Sequence, residues 1–109
     1  MININSLIDI LKKNKSNFFT GVPDSVLKEL SIYLQSKKKN QHIIASNEGA
    51  AVSIGIGHYL STNEVPCIYM QNSGLSNALN PLISIANKKV YSIPLILIIG
   101  WRGSPKIKD

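Results

Sequence analysis

Residues 41–71, "QHIIASNEGAAVSIGIGHYLSTNEVPCIYMQ", decide the fold. The stretch opens on "QHIIAS", which reads as a strand, and closes on a second apolar run, "PCIYMQ", which reads as another. Between them "EGAAVSIGIGHYLST" is small, apolar and almost uncharged, and it has the length of a helix. A strand, a helix and a strand in this order are what parallel pairing requires, because parallel strands need a long crossover between them.

The flanking segments continue the alternation. In "INSLIDILKKN" the apolar residues Ile4, Leu7, Ile8 and Leu11 recur at helical spacing. "NFFTGVP" is an aromatic and apolar run ended by Gly21 and Pro23, a strand entering a turn. "DSVLKELSIYLQSKKK" predicts a helix capped by Asp24 or Ser25, with Val26, Leu27, Leu30, Ile32, Tyr33 and Leu34 on a broad face and lysines at its end. Beyond the central unit, "SGLSNALNPLISIANKK" predicts a helix that Pro81 bends or divides. "IPLILIIG" is a last apolar strand, followed by the polar tail "WRGSPKIKD".

Strands that are apolar throughout are covered on both faces. The chain therefore reads as one α/β domain over residues 1–109, an open, mostly parallel sheet with helices on both faces. A doubly wound domain normally continues past a strand such as "IPLILIIG". The expectation is a domain incomplete at its C-terminal side, whose sheet edge something else completes, since an exposed apolar edge strand invites association.

Composition narrows the function classes. Of 109 residues, 44% are hydrophobic, enough for a core, and the net charge is +6. Scattered lysines suit anionic small molecules and helix C-terminal ends better than a nucleic-acid surface. Cys67 is the only cysteine, so an internal disulfide and a multi-cysteine metal site are excluded, and its apolar surroundings predict an inert core thiol. The N-terminus has no secretion-signal pattern, and the longest apolar run is too short to span a bilayer. The expectation is a cytoplasmic protein with neither membrane nor nucleic-acid partners.

In open α/β sheets, ligands bind beyond the carboxyl ends of the strands. Four polar segments fall there: "TGVPDS", "SNEGAA", "MQNSGLSN" and "GWRGSP". Glu48 is a lone acid between apolar runs, with no basic residue between Lys39 and Lys88. It admits two readings from the residues alone. One is a solvated acid at a helix N-terminus, favoured by the dipole. The other is a partly desolvated acid fit for proton transfer, because the small residues Gly49, Ala50, Ala51, Gly55 and Gly57 let another element or a second subunit approach. Gly55-Ile56-Gly57 lacks a third glycine at dinucleotide-binding spacing, and no phosphate-loop motif is present. Ser25, His42 and Asp24 contain the letters of a triad without supporting spacing, His58 reads as a packed or surface residue, and the six carboxylates do not cluster as a metal site.

The motifs "TGVPDSVLKEL", "SNEGAAVSIGIGHYLST" and "PCIYMQNSGLSNALNPLISIANKKVYSIPLILIIGWRGSP" carry a resemblance. Over Phe18 to Lys108 the chain resembles the N-terminal, pyrimidine-binding domain of the thiamine-diphosphate-dependent decarboxylases, specifically those acting on phosphonopyruvate and sulfopyruvate. Ser76 stands where that family often has glycine. The resemblance implies that Glu48 bonds the N1′ nitrogen of the cofactor's aminopyrimidine and so promotes proton removal at thiazolium C2, the carbon that attacks the 2-keto group before CO2 leaves. It further implies that Val22 and Pro23 line the pyrimidine pocket and that Asn72 and Ser73 border the cofactor. Asp24 would face the substrate and handle protons, Gln71 would border it, and Arg102, the only arginine, would contact its phosphonate or sulfonate. The family holds diphosphate and Mg2+ through a Gly-Asp-Gly motif on a separate domain, and this sequence contains none. The implied function is half of an active site, completed by a diphosphate-binding domain or beta-type subunit in a homo- or hetero-oligomer. The substrate would be 3-phosphonopyruvate, giving phosphonoacetaldehyde and CO2, with a sulfopyruvate decarboxylase alpha-type subunit as the alternative. A non-catalytic module that self-associates and binds small anions is the reading of a different class.

Overall fold

The computed structural model describes residues 2–103; the end of the polar tail, with Lys106 and Lys108, lies outside them. Elements alternate as α1 (Ile4–Lys13), β1 (Phe19–Gly21), a 3-10 turn (Ser25–Leu27), α2 (Lys28–Leu34), β2 (His42–Ile44), α3 (Glu48–Thr62), β3 (Cys67–Gln71), a second 3-10 turn (Asn72–Gly74), α4 (Leu75–Pro81), a π-helical turn (Leu82–Ala86) and β4 (Ile96–Gly100). The four strands form one parallel sheet in the order β2-β1-β3-β4.

Alternation along the strands divides the core into two layers. Ile68 and Met70 of β3, with Leu97 and Ile99 of β4, pack against α3 and α4. Phe19 of β1, Cys67 and Tyr69 of β3, and Ile96 and Ile98 of β4 pack against α1 and α2. Helices therefore cover both faces, as the apolar strands predict. β2 departs from that pattern: Ile43 and Ile44 remain 39% and 64% exposed, because β2 is an edge strand and the helices cover the sheet centre.

α3 runs over the same residues that its composition marks out. Asn47 caps it by accepting the Ala50 N–H at 2.8 Å, and Asn63 closes it in the left-handed conformation at φ 63°. Its buried stripe, Ala51, Val52, Gly55 and Ile56, faces the chain's own sheet. A side chain at Gly55 would meet Ile68 at 2.7 Å, so that glycine is explained within the chain, whereas Gly57 faces open space.

Two expectations at helix ends are corrected. The helix predicted from Asp24 begins as the 3-10 turn and stops at Leu34; the Asp24 side chain makes no capping bond and Ser25 lies inside the turn. The lysines that follow do not sit in the last turn of α2; Lys37 instead donates to Asn17 Oδ1 at 2.7 Å, with the Phe19 and Tyr33 rings beneath it. Pro81 does divide its helix, which continues as the wider π turn.

Gly21 sets the sheet's geometry. In register with Tyr69, it has no side chain, and the Tyr69 ring lies over it. The ring thereby crosses β1, and its hydroxyl shares a 2.7 Å hydrogen bond with His42 Nε2 on β2. Gly21→Ala would place a methyl 2.1 Å from the Tyr69 carbonyl oxygen, which cannot rotate away. We expect a loss of about 3 kcal/mol in urea unfolding. Desolvation lowers the His42 pKa from its ordinary 6.5, against a smaller opposing bond with the Leu34 backbone. The unfolded chain binds that proton more tightly, so this contribution to stability is full above the unfolded value and is lost as pH falls through the folded one. The urea midpoint should decline as the pH drops below about 6.5, and His42→Gln should flatten that part of the curve.

Candidate functional site

After β1 the chain turns to one side to build β2, and from there to the other side to build β3. The carboxyl ends of β1 and β3 therefore flank the topological switch point, where the connecting segments diverge. Asp24 arrives there on the turn after β1 and Gln71 at the last position of β3. Gln71 Nε2 donates to Asp24 Oδ1 at 2.6 Å, and Ser73 Oγ donates to Gln71 Oε1 at 2.5 Å. The serine thus fixes which way the amide points. Asp24 Oδ2 is buried with no hydrogen-bond partner among the described residues. It occupies space that a side chain at Gly100 would take, at 2.8 Å.

A second set joins β3 to the segment after β4. The Asn72 side chain donates to the Arg102 carbonyl at 3.1 Å and accepts the Arg102 N–H at 3.2 Å. Arg102 Nη2 in turn donates to Ser25 Oγ at 2.9 Å. This holds an exposed guanidinium beside the Asp24 turn. Val22 is half-buried and its N–H donates to the Tyr69 carbonyl at 3.2 Å, while Pro23 is exposed.

Glu48 opens α3, at the end of the β2 connection. It stands in the first turn of that helix and is half-buried. No lysine or arginine pairs with it; the one ion pair among the described residues is His58–Glu64, at 2.7 Å. Instead Asn77 Nδ2 donates to Glu48 Oε1 at 3.0 Å. Oε2 lies against Gly74, where a side chain would come within 2.5 Å of the carboxylate. Asn77 and Gly74 were not distinguished by sequence reasoning. The available signal was Asn77 itself, a poor helix former in the first turn of α4 within the polar "MQNSGLSN" segment.

Other candidates resolve into structural parts. Ser25, His42 and Asp24 belong to three separate contacts, with Arg102, Tyr69 and Gln71 respectively. His58 stacks on Phe18 at 3.9 Å and pairs with Glu64, near the amino ends of the strands, away from the polar loops. Cys67 is fully buried and burial pushes its thiol up to about 12. Among the described residues no three His, Cys, Asp or Glu side chains gather as a metal site, and no helix is long and apolar enough to cross a membrane. An apolar groove of about 460 Å³ lies between α1, α2 and the end of β4, with Ile4, Leu7, Ile98 and Trp101 in its walls; Glu48 and Gln71 do not line it.

Thiamine diphosphate can be tested against these residues. A half-buried glutamate with one oxygen held by an amide, and with no counter-ion among the described residues, fits a proton shared with a ring nitrogen such as N1′. The described residues offer no comparable ligand set for a divalent cation.

Comparison with known proteins bears on the family and the fold. The family model described as thiamine pyrophosphate enzyme, N-terminal TPP binding domain, matches residues 4–108. The chain is 39% identical over 92 residues to a sulfopyruvate decarboxylase subunit alpha of Methanococcus maripaludis, covering 84% of this chain and 53% of that one. It is 36% identical over 89 residues to a phosphonopyruvate decarboxylase of Streptomyces hygroscopicus, covering 82% of this chain and 21% of that one. It thus spans about half the length of the first relative and a fifth of the second. An X-ray structure of a protein from Mycobacterium smegmatis, described as thiamin diphosphate-dependent, superposes with a TM-score of 0.70 at 18% identity, over 93% of this chain and 19% of that one. That likeness concerns the fold.

The Asp24–Gln71 pair is open to a direct test. Gln71→Leu leaves both Asp24 oxygens without a donor, and urea unfolding should show a loss of about 1–3 kcal/mol. Asp24→Leu added to it removes the stranded acid, so the double variant should be more stable than Gln71→Leu alone.

Proposed function

The chain belongs to the thiamine pyrophosphate enzymes, through their N-terminal TPP-binding domain, and from that premise we propose that it is the pyrimidine-binding half of a 2-oxo-acid decarboxylase. The observation that carries the proposal is Glu48: a half-buried acid with no counter-charge among the described residues, held by an amide through one oxygen. When bound, the thiazolium of thiamine diphosphate supplies the nucleophilic carbon and the electron sink for loss of CO2. Glu48 holds the proton shared with N1′ of the pyrimidine. Val22 and Pro23 would wall the pyrimidine, and Asn72 and Ser73 would border it.

Asp24 is the second acid of the site. Its role is proton handling at the substrate; Gln71 fixes Oδ1, and Oδ2, buried here without a hydrogen-bond partner among the described residues, would have to be uncovered to act. Such proton transfer by a positioned carboxyl contributes on the order of 10²–10⁴-fold to a rate. Arg102, steadied by Asn72 and Ser25, presents its fork to the far end of the substrate. Relatives are named for both sulfopyruvate and phosphonopyruvate. The substrate class is therefore a short 2-oxo acid ending in a tetrahedral anion, 3-phosphonopyruvate or its sulfonate counterpart. Diphosphate and Mg2+ are assigned to a separate domain or beta-type subunit, because this sequence has no Gly-Asp-Gly motif. The relative named subunit alpha supports an assembly of that kind.

The test uses this chain assembled with its diphosphate-binding domain or subunit. Decarboxylation of 3-phosphonopyruvate and of sulfopyruvate is measured in parallel, and the arm with the higher kcat/KM assigns the anion. Glu48→Gln should lower kcat by about 10²-fold or more in that arm. Full activity in the variant would remove Glu48 from the mechanism.

A further inference from the structure

We propose that Asn77 is a positioning residue for Glu48, a role that rests on the pyrimidine-binding reading of that acid. Three contacts at one helix crossing support it. Asn77 Nδ2 donates to Glu48 Oε1 at 3.0 Å, from the third residue of α4 to the first of α3. Gly49, next to Glu48, comes so close to the Asn77 backbone that a side chain there would lie 2.7 Å from the Asn77 carbonyl oxygen. Gly74, just before α4, gives its missing side chain's space to the Glu48 carboxylate. Two glycines thus press the first turns of α3 and α4 together, and the backbone that carries the Asn77 amide cannot drift relative to the acid.

The chemistry of the donor matters as much as its place. A lysine or arginine here would bind Glu48 equally well but would neutralise it. The carboxamide is uncharged and can only donate to a carboxylate through its nitrogen, so it fixes the rotamer and leaves the charge intact. Held through Oε1, Glu48 keeps Oε2 as the oxygen that would carry the proton shared with a ring nitrogen. Free rotation of a glutamate at a helix start would otherwise spread that oxygen over several staggered positions.

Asn77 is exposed, and asparagine is a weaker helix former than alanine, so Asn77→Ala should fold at least as stably as the parent. A merely structural asparagine would be replaced without consequence. The discriminating readout is exchange of the C2 proton of bound thiamine diphosphate with D2O, followed by quenched NMR in the assembled enzyme, beside cofactor affinity by calorimetry. Asn77→Ala should slow exchange by about tenfold to a hundredfold, with a much smaller change in affinity. Asn77→Asp, which sets a like charge against Glu48, should slow it further. Exchange that is unchanged in Asn77→Ala but slowed in Glu48→Gln overturns the positioning role alone. Exchange unchanged in Glu48→Gln overturns the functional reading and this role with it.

Discussion

The close pairing of β1 with β3 at Gly21 is the constraint from which the rest follows. Because Gly21 has no side chain, the Tyr69 ring can lie across β1 and bond His42 on β2. One aromatic residue on β3 thereby ties three strands together in the layer shared with α1 and α2. Burial raises the Tyr69 hydroxyl to about 12 and lowers His42, so the bond joins two neutral groups near neutral pH. With β1 and β3 locked side by side, their following turns must part to opposite faces. The opening between those turns is where Asp24 and Gln71 meet.

Much of this was legible in the sequence, for definable reasons. The boundaries of α3 match the stretch "EGAAVSIGIGHYLST" because a strongly apolar helix is delimited by the change to polar residues at Asn47 and Asn63. The two-sided cover of the sheet was legible because "CIYMQ" and "ILIIG" carry apolar residues at both odd and even positions. Helix ends were less legible. Asp24 has the chemistry of a cap, but the Gln71 amide, distant in sequence and adjacent in the sheet, takes its Oδ1 instead. Tertiary pairing won over a local preference worth about 1 kcal/mol. The lysines after Leu34 fit the expected dipole pattern by composition, yet Lys37 turns to Asn17 and two rings.

The site divided along the same line. Glu48 could be picked out because a lone charge between apolar runs is conspicuous, whereas Asp24 and Arg102 were singled out by the family resemblance. Among the neutral residues, Gln71, Asn72 and Ser73 came with the family resemblance. Asn77 and Gly100 did not, because they act through contacts between segments far apart in sequence. The small residues of α3 serve contacts within the chain. Gly49 and Gly55 are used within the chain, by α4 and by β3, and Gly57 alone stands open.

The two acids show one arrangement used twice. Asp24 has Oδ1 held by the Gln71 amide and Oδ2 set in the space left by Gly100. Glu48 has Oε1 held by the Asn77 amide and Oε2 set against Gly74. Both amides come from the stretch that ends β3 and starts α4, so one segment orients carboxylates arriving from two different loops. Each feature has a physical consequence. An amide orients an acid without supplying the counter-charge that would quench its basicity, and the neighbouring glycine admits the second oxygen where any side chain would exclude it. Both acids are thus oriented by neutral amides, lack an ion-pair partner among the described residues, and stand half-enclosed at the carboxyl edge of the sheet.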